Sequence, residues 1–324
     1  MAAFSNPNSP DDAALANKDV KDNTSVCVKE SGSSGSGKTF DIVINATYNM
    51  KLNPMIGVLG FKTMKISVTG SATSSTEAKN ALSMFLVVDK SGSMDEDTDT
   101  INAAQPTKIE QQTYQESCTV NGRRTTCTRT RNVTVNNYVK KIEALKVATK
   151  SLLDTIKTAD TEKKYARLAA VSYNNVKQTS TPLAWGTDAA LTYVNNLAAT
   201  GSTNSGEAMQ EAYESLNKPA ENTAHQTMSG QSKPSKYIIF MTDGENNISG
   251  ADNKTKLACA NAKTAGMEIY SIAFMAPTAG QKLLETCATD PTTHYYKAEN
   301  AVQLVAAFKS IGEKAAQAAT RLTN

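Results

Sequence analysis

Three stretches of this 324-residue chain carry oxygen-bearing side chains at places where they could act together. One is Asp89-Lys90-Ser91-Gly92-Ser93, which follows the apolar run Phe85-Leu86-Val87-Val88; another is Thr203, within Gly201-Ser202-Thr203-Asn204-Ser205-Gly206. The third is Asp243, which comes after Tyr237-Ile238-Ile239-Phe240-Met241-Thr242. Hydroxyls of Ser and Thr do not titrate usefully, so the set is a poor acid–base catalyst. It is a good set of hard oxygen ligands for a divalent cation. Convergent carboxylates also need a cation to offset their repulsion. Taken singly, Asp89 or Asp243 reads equally well as a helix cap or a loop hydrogen-bonding group.

Those residues need elements to hold them. Apolar, β-branched runs at 85–88 and 237–241 read as strands buried on both faces. Side chains at the carboxyl end of such strands face the crevice where ligands bind in open α/β sheets. Met209, Ala212, Tyr213 and Leu216 share one helical face, so Thr203 falls on a loop at a helix start. Ile142, Leu145, Ala148, Leu152 and Ile156 step by three and four, which predicts an amphipathic helix over 139–156. Further on, strands over 168–173, 268–274 and 294–297 alternate with helices over 188–197, 254–265, 281–286 and from 300. Alternation of this kind predicts an α/β fold: a doubly wound, mostly parallel sheet with helices on both faces.

Asp-x-Ser-x-Ser, a loop Thr and a strand-end Asp, in that order, resemble the metal-ion-dependent adhesion site of von Willebrand factor A domains. The resemblance runs from about residue 82 to about residue 314. It implies a Rossmann-like sheet and a divalent ion, usually Mg²⁺ with Ca²⁺ or Mn²⁺ as alternatives, held directly by Ser91, Ser93 and Thr203. Asp89 and Asp243 would act through water or by switching to direct contact, and the open position would take a carboxylate from a protein partner. Softer features resemble TadG-like proteins of bacterial tight-adherence pilus systems: Leu59-Gly60-Phe61 through Ala72, the pair Ala258-Cys259 and Leu284-Glu285-Thr286-Cys287-Ala288, and the ending Ala307 to Glu313. That likeness implies a pilus subunit or surface receptor as partner. It also implies an N-terminal membrane anchor, which this chain does not carry; the reading is of an exported ectodomain whose native anchor is missing.

With 34 Lys and Arg against 31 Asp and Glu, the net charge of +3 is small and argues no nucleic-acid partner. No apolar run approaches the ~18 residues that span a bilayer, and the first residues lack the charged and apolar regions of a signal peptide. Cys118 and Cys127 bracket Asn121-Gly122 among Thr and Val, which predicts a disulfide-clipped hairpin within an insertion at about 95–137. Cys259 and Cys287 lie on or near two late helices and read as a second staple. Two disulfides place the chain in an oxidising compartment, periplasmic or cell-surface, with Cys27 left over. Arg123, Arg124, Arg129 and Arg131 give the hairpin a basic tip, and 95–99 is an acidic run read as a solvated loop. Trp185, His225 and His294 read as structural.

Ahead of the large domain, residues 1–38 are polar and are expected to be poorly ordered. Residues 39–81 are expected to form a small α+β unit, with strands over 40–46 and 64–72 and a short helix or turn over 53–60; residues 315–324 are read as a tail. Gly32-Ser33-Ser34-Gly35-Ser36-Gly37-Lys38-Thr39 fits the P-loop pattern, but strand-like residues follow it where a helix is needed. Two other functions compete with an adhesion module. One is Mg²⁺-dependent phosphoryl transfer, with Asp89 as a haloacid-dehalogenase-like nucleophile, although Ser91 stands where a general acid is needed; the P-loop version would use Lys38. The other is a structural pilus component with a vestigial ion site.

Overall fold

The computed structural model describes residues 21–34, 37–51, 63–75 and 81–319. They form two compact units, divided near residue 80. In the first, β1 (Thr24–Ser34), β2 (Gly37–Lys51) and β3 (Thr63–Ser75) make an antiparallel sheet in that order. Residues 1–20 lie outside the described residues. The poor order expected over 1–38 is corrected for Thr24–Ser34, which pairs with β2 from Thr24↔Ala46 to Ser34↔Gly37. Its two valines, Val26 and Val28, stand opposite Ile44 and Ile42. A polar segment gains its strand from a partner ladder here, not from its own propensity. The helix or turn expected over 53–60 lies outside the described residues, and what is described of this unit is β-sheet. The strand expected after the P-loop-like run is present: Gly37, Lys38 and Thr39 open β2 and pair with Ser34, Ser33 and Gly32 of β1, so no helix follows the motif to hold phosphate.

The second unit is the α/β fold that the alternation predicts. From its start run β4 (Leu82–Asp89), β5 (Asp97–Ile101), β6 (Thr107–Val120), β7 (Arg123–Asn136) and β8 (Tyr138–Lys140). Next come α1 (Lys141–Ala159), β9 (Ala166–Tyr173), β10 (Ala184–Trp185), α2 (Asp188–Asn195), α3 (Gly206–Asn217) and α4 (Pro219–Ser229). The chain continues through β11 (Ser235–Thr242), α5 (Ala251–Thr264), β12 (Glu268–Phe274), α6 (Thr278–Cys287), β13 (Tyr295–Ala298) and α7 (Ala301–Ala319).

The main sheet has the order β10-β9-β4-β11-β12-β13, parallel except for the edge strand β10. Successive residues of β4 feed two cores. Met84, Leu86 and Val88 pack with α1, α2 and α7, while Phe85 and Val87 pack with α3, α5 and α6. Burial on both faces is what makes this strand an unbroken apolar run. Chain order grows from β4 to β9 on one side and from β11 to β13 on the other. The switch point therefore lies between the carboxyl ends of β4 and β11, where Asp89 and Asp243 sit.

Between β4 and α1 stands the insertion. β6 and β7 pair over fourteen residues each, a two-stranded arm roughly 45 Å long. It turns at Asn121 and Gly122, both at positive φ (50° and 79°), the backbone that an Asn-Gly hairpin turn demands. Cys118 and Cys127 are bonded near its tip, with Cα atoms 5.8 Å apart. Cys259 and Cys287 join α5 to α6, and Cys27 is free and exposed. β5 and β8 pair at the root of the arm. Among the described residues no helix is long and apolar enough to cross a membrane.

Candidate metal centre

Asp89 is the last residue of β4 and is fully buried. Its Oδ1 accepts the Ser91 backbone N–H at 2.7 Å, which bends the chain into a single 3₁₀ turn over Gly92–Asp95. Its Oδ2 accepts the Thr242 hydroxyl at 2.5 Å. The turn brings the Ser91 and Ser93 hydroxyls within 3.1 Å of each other, and Ser93 donates to Asp243 Oδ1 at 2.9 Å. Asp243, just past β11, is buried as well.

Backbone bonds stitch the Thr203 loop to this turn. Thr200 N–H donates to the Lys90 carbonyl and Gly92 N–H to that of Gly201, each at 2.8 Å. Gly201 sits at φ 83°, and a Cβ there would stand 2.6 Å from Asn175 Oδ1, so this position needs glycine. Asn247 ties the same loop to the Asp243 side: its Oδ1 accepts from Thr203 N at 2.9 Å and its N–H donates to the Thr203 carbonyl at 3.1 Å. A methyl on Gly244 would lie 3.6 Å from the Thr203 hydroxyl and 3.7 Å from that of Ser93, so both face one small cradle. A methyl on Gly280, in α6, would meet the Gly244 carbonyl oxygen at 2.1 Å, and that close approach fixes the floor of the site. The five residues expected from the sequence thus line one corner of the sheet.

Charge in this corner is out of balance. Burial first, and the neighbouring Asp243 second, push the Asp89 carboxyl up to about 7, against the hydrogen bonds of Thr242 and Ser91. Burial also raises Asp243, while the Lys141 ammonium 3.0 Å from its Oδ2 and the Ser93 hydroxyl work the other way. For Lys141 burial works to lower the pKa, but Glu96 and Asp243 outweigh it and the net direction is up. Of the two buried carboxylates, Asp243 has the Lys141 ammonium, which it shares with the more exposed Glu96, while Asp89 has hydroxyl and backbone donors only. Three hydroxyls, two carboxylates and a deficit of positive charge fit a hard divalent cation.

Sequence reasoning missed Lys141, Thr242 and Asn247. Lys141 opens α1 beyond a long insertion, and its only local signal is a cation at a helix amino terminus, the wrong end for the helix dipole. The acidic run at 95–99 is not merely solvated. Asp95 pairs with Lys140 at 3.1 Å, Glu96 with Lys141 at 2.7 Å and Asp97 with Lys108 at 3.9 Å. Of the arm's arginines, Arg129 pairs with Glu116 at 2.7 Å and Arg131 lies over the Tyr114 ring. Away from the site, His294 stacks on Tyr270, and Trp185 lies edge-on to His225.

The von Willebrand factor type A domain family matches residues 136–310. That match starts at the end of the arm, so β4 with Asp89, Ser91 and Ser93 stands on the far side of the insertion. Among solved structures, the pilus adhesin SpaC from Lactobacillus rhamnosus GG is similar, with a TM-score of 0.51 and 14% identity over 98% of this chain. The chain spans 36% of that adhesin's length. The von Willebrand domain of the type V pili tip protein Mfa5 from Porphyromonas gingivalis has a TM-score of 0.49 at 13% identity, covering 76% of this chain and 98% of that one. The PilB minor pilin from Streptococcus sanguinis has 0.47 at 14%, covering 91% and 78%. At such identities the likeness is one of fold. No curated protein matches the chain.

Proposed function

Because the chain belongs to the von Willebrand factor type A domain family, we propose that it is a non-enzymatic, metal-dependent protein-binding module. The observation that carries this is the buried pair Asp89 and Asp243, set among the Ser91, Ser93 and Thr203 hydroxyls and short of one positive charge. Ser91, Ser93 and Thr203 would hold Mg²⁺, or Mn²⁺ or Ca²⁺, with Asp89 and Asp243 balancing its charge. A divalent ion there supplies an open coordination position that accepts a carboxylate from the partner. The protein's own part is to keep the hydroxyls aimed through the Asn247 and Gly201 contacts and to hold both carboxylates out of water.

Two disulfides and the likeness to a pilus adhesin support an exported, surface-assembly setting, and the TadG-like segments agree with it. The partner is then an acidic surface on a pilus subunit or receptor. Phosphoryl transfer has less support, because the residue two after Asp89 is Ser91, hydrogen-bonded to Ser93, where that chemistry needs an acid. The test is calorimetric titration of Mg²⁺, Mn²⁺ and Ca²⁺ into chelator-treated protein beside its Asp89→Ala variant. Saturable one-to-one binding lost in the variant is expected; no binding in the intact protein would turn the reading towards a structural component with a vestigial site.

A further inference from the structure

The ammonium of Lys141 lies inside the proposed ion site, and nothing in the adhesion reading uses it. Its side chain is 6% exposed and bridges Asp243 Oδ2 at 3.0 Å and Glu96 Oε2 at 2.7 Å, where Asp243 is wholly buried and Glu96 is 65% exposed. As the first residue of α1, Lys141 stands at the positive end of the helix dipole, where a cation is disfavoured. Its seat is therefore held by the two carboxylates. The root of the arm builds that seat: β8 delivers Lys140 and Lys141, the Asp97↔Lys140 pair aligns β8 with β5, and Lys141 N–H donates to the Glu96 carbonyl at 3.0 Å.

Asp243 thus has a tethered cation on one oxygen and a Ser93 hydroxyl on the other. Asp89, by contrast, is met by hydroxyl and backbone donors only. Resting on the ion-site reading above, we propose that Lys141 is a built-in counter-cation that competes with the divalent ion for Asp243 and sets the affinity of the site. A divalent charge placed among these oxygens is repelled by the ammonium a few ångströms away. Binding therefore requires Lys141 to give up Asp243 and keep only Glu96, its more exposed partner. Removing the ammonium leaves Asp243 free for the ion; keeping a cation of another shape does not.

The experiment is titration of Mg²⁺ and Mn²⁺ into chelator-treated wild-type protein and its Lys141→Met, Lys141→Gln and Lys141→Arg variants, each first shown to unfold cooperatively. Loss of a unit charge at this range tightens ion binding about tenfold or more in Lys141→Met and Lys141→Gln. Lys141→Arg is expected to stay near wild type. A merely structural role predicts the opposite, since damage to the site weakens binding. Binding that appears only in Lys141→Met and Lys141→Gln would be the strongest support. Equal or weaker binding in those two, beside a wild type that binds, overturns the proposal while leaving the ion site standing. Absence of binding in every protein overturns the ion-site reading and this inference together.

Discussion

Buried acids occur at both ends of the central sheet, and the two ends treat them differently. At the amino-terminal end, Glu221 of α4 is 4% exposed and fully served: Ser83 donates to it at 2.6 Å, and the Arg167 guanidinium lies at 2.9 and 3.1 Å. Ser83, its proton directed at Glu221, is left to accept from His225 Nε2 at 2.8 Å, and Arg167 also covers the Trp185 ring. Burial alone would raise Glu221; the His225 and Ser83 hydrogen bonds and the Arg167 charge outweigh it, and its pKa is lowered. At the carboxyl end, Asp89 has no cation of its own and is pushed up to about 7. One fold therefore closes its charge balance around Glu221 and leaves it open around Asp89, at the proposed ion site.

The comparison breaks most visibly at the closed end. Arg167→Met removes the guanidinium from the buried Glu221 and is expected to cost about 3 kcal/mol or more, read by chemical denaturation. A loss below half a kilocalorie would mean that Glu221 is no better satisfied than Asp89. Somewhat smaller is the effect of closing the open end. Mg²⁺ at a hundred times its dissociation constant should stabilise the protein by about 2.7 kcal/mol, and this gain should vanish in Asp243→Ala. A thermal shift with Mg²⁺ that survives in Asp243→Ala would place the ion elsewhere.

The open end was legible because strand-end carboxylates and Ser-x-Ser spacing are local. The unbroken apolar run of β4 marked its double burial, and Asn121-Gly122 between Thr-rich flanks marked the arm. What escaped depends on contacts between distant segments. Glu221 and Arg167 look like solvated helix and strand residues until α4 packs over the starts of β4 and β9, where the buried His225, read as structural, joins them. Val26 and Val28 gave too little pattern to mark β1, whose order comes from β2. Lys141 fell inside the amphipathic helix predicted over 139–156 with nothing to single it out, and only the fold brings it to Glu96 across the arm, 45 residues earlier, and to Asp243, 102 residues later.

The smallest effect separates the two ends by sign. Asp89 has a folded-state pKa raised from 3.8 to about 7, so its contribution to stability is full below about 4 and is lost as pH rises towards 7. Asp243, also raised, adds to that loss. Glu221 runs the other way: its lowered pKa gives stability that is present above the ordinary glutamate range and is lost as pH falls through it. In chelator, Asp89→Asn should therefore raise stability at pH 8 by about 1–2 kcal/mol, since relief of an uncompensated charge exceeds the loss of one hydrogen bond. It should also flatten the fall between pH 4 and 7. Glu221→Gln should leave that fall in place and remove stability at pH 8. Denaturation midpoints measured across this range decide it: if Asp89→Asn destabilises the metal-free protein as Glu221→Gln does, the two ends are alike and the carboxyl end carries no charge deficit for an ion to fill.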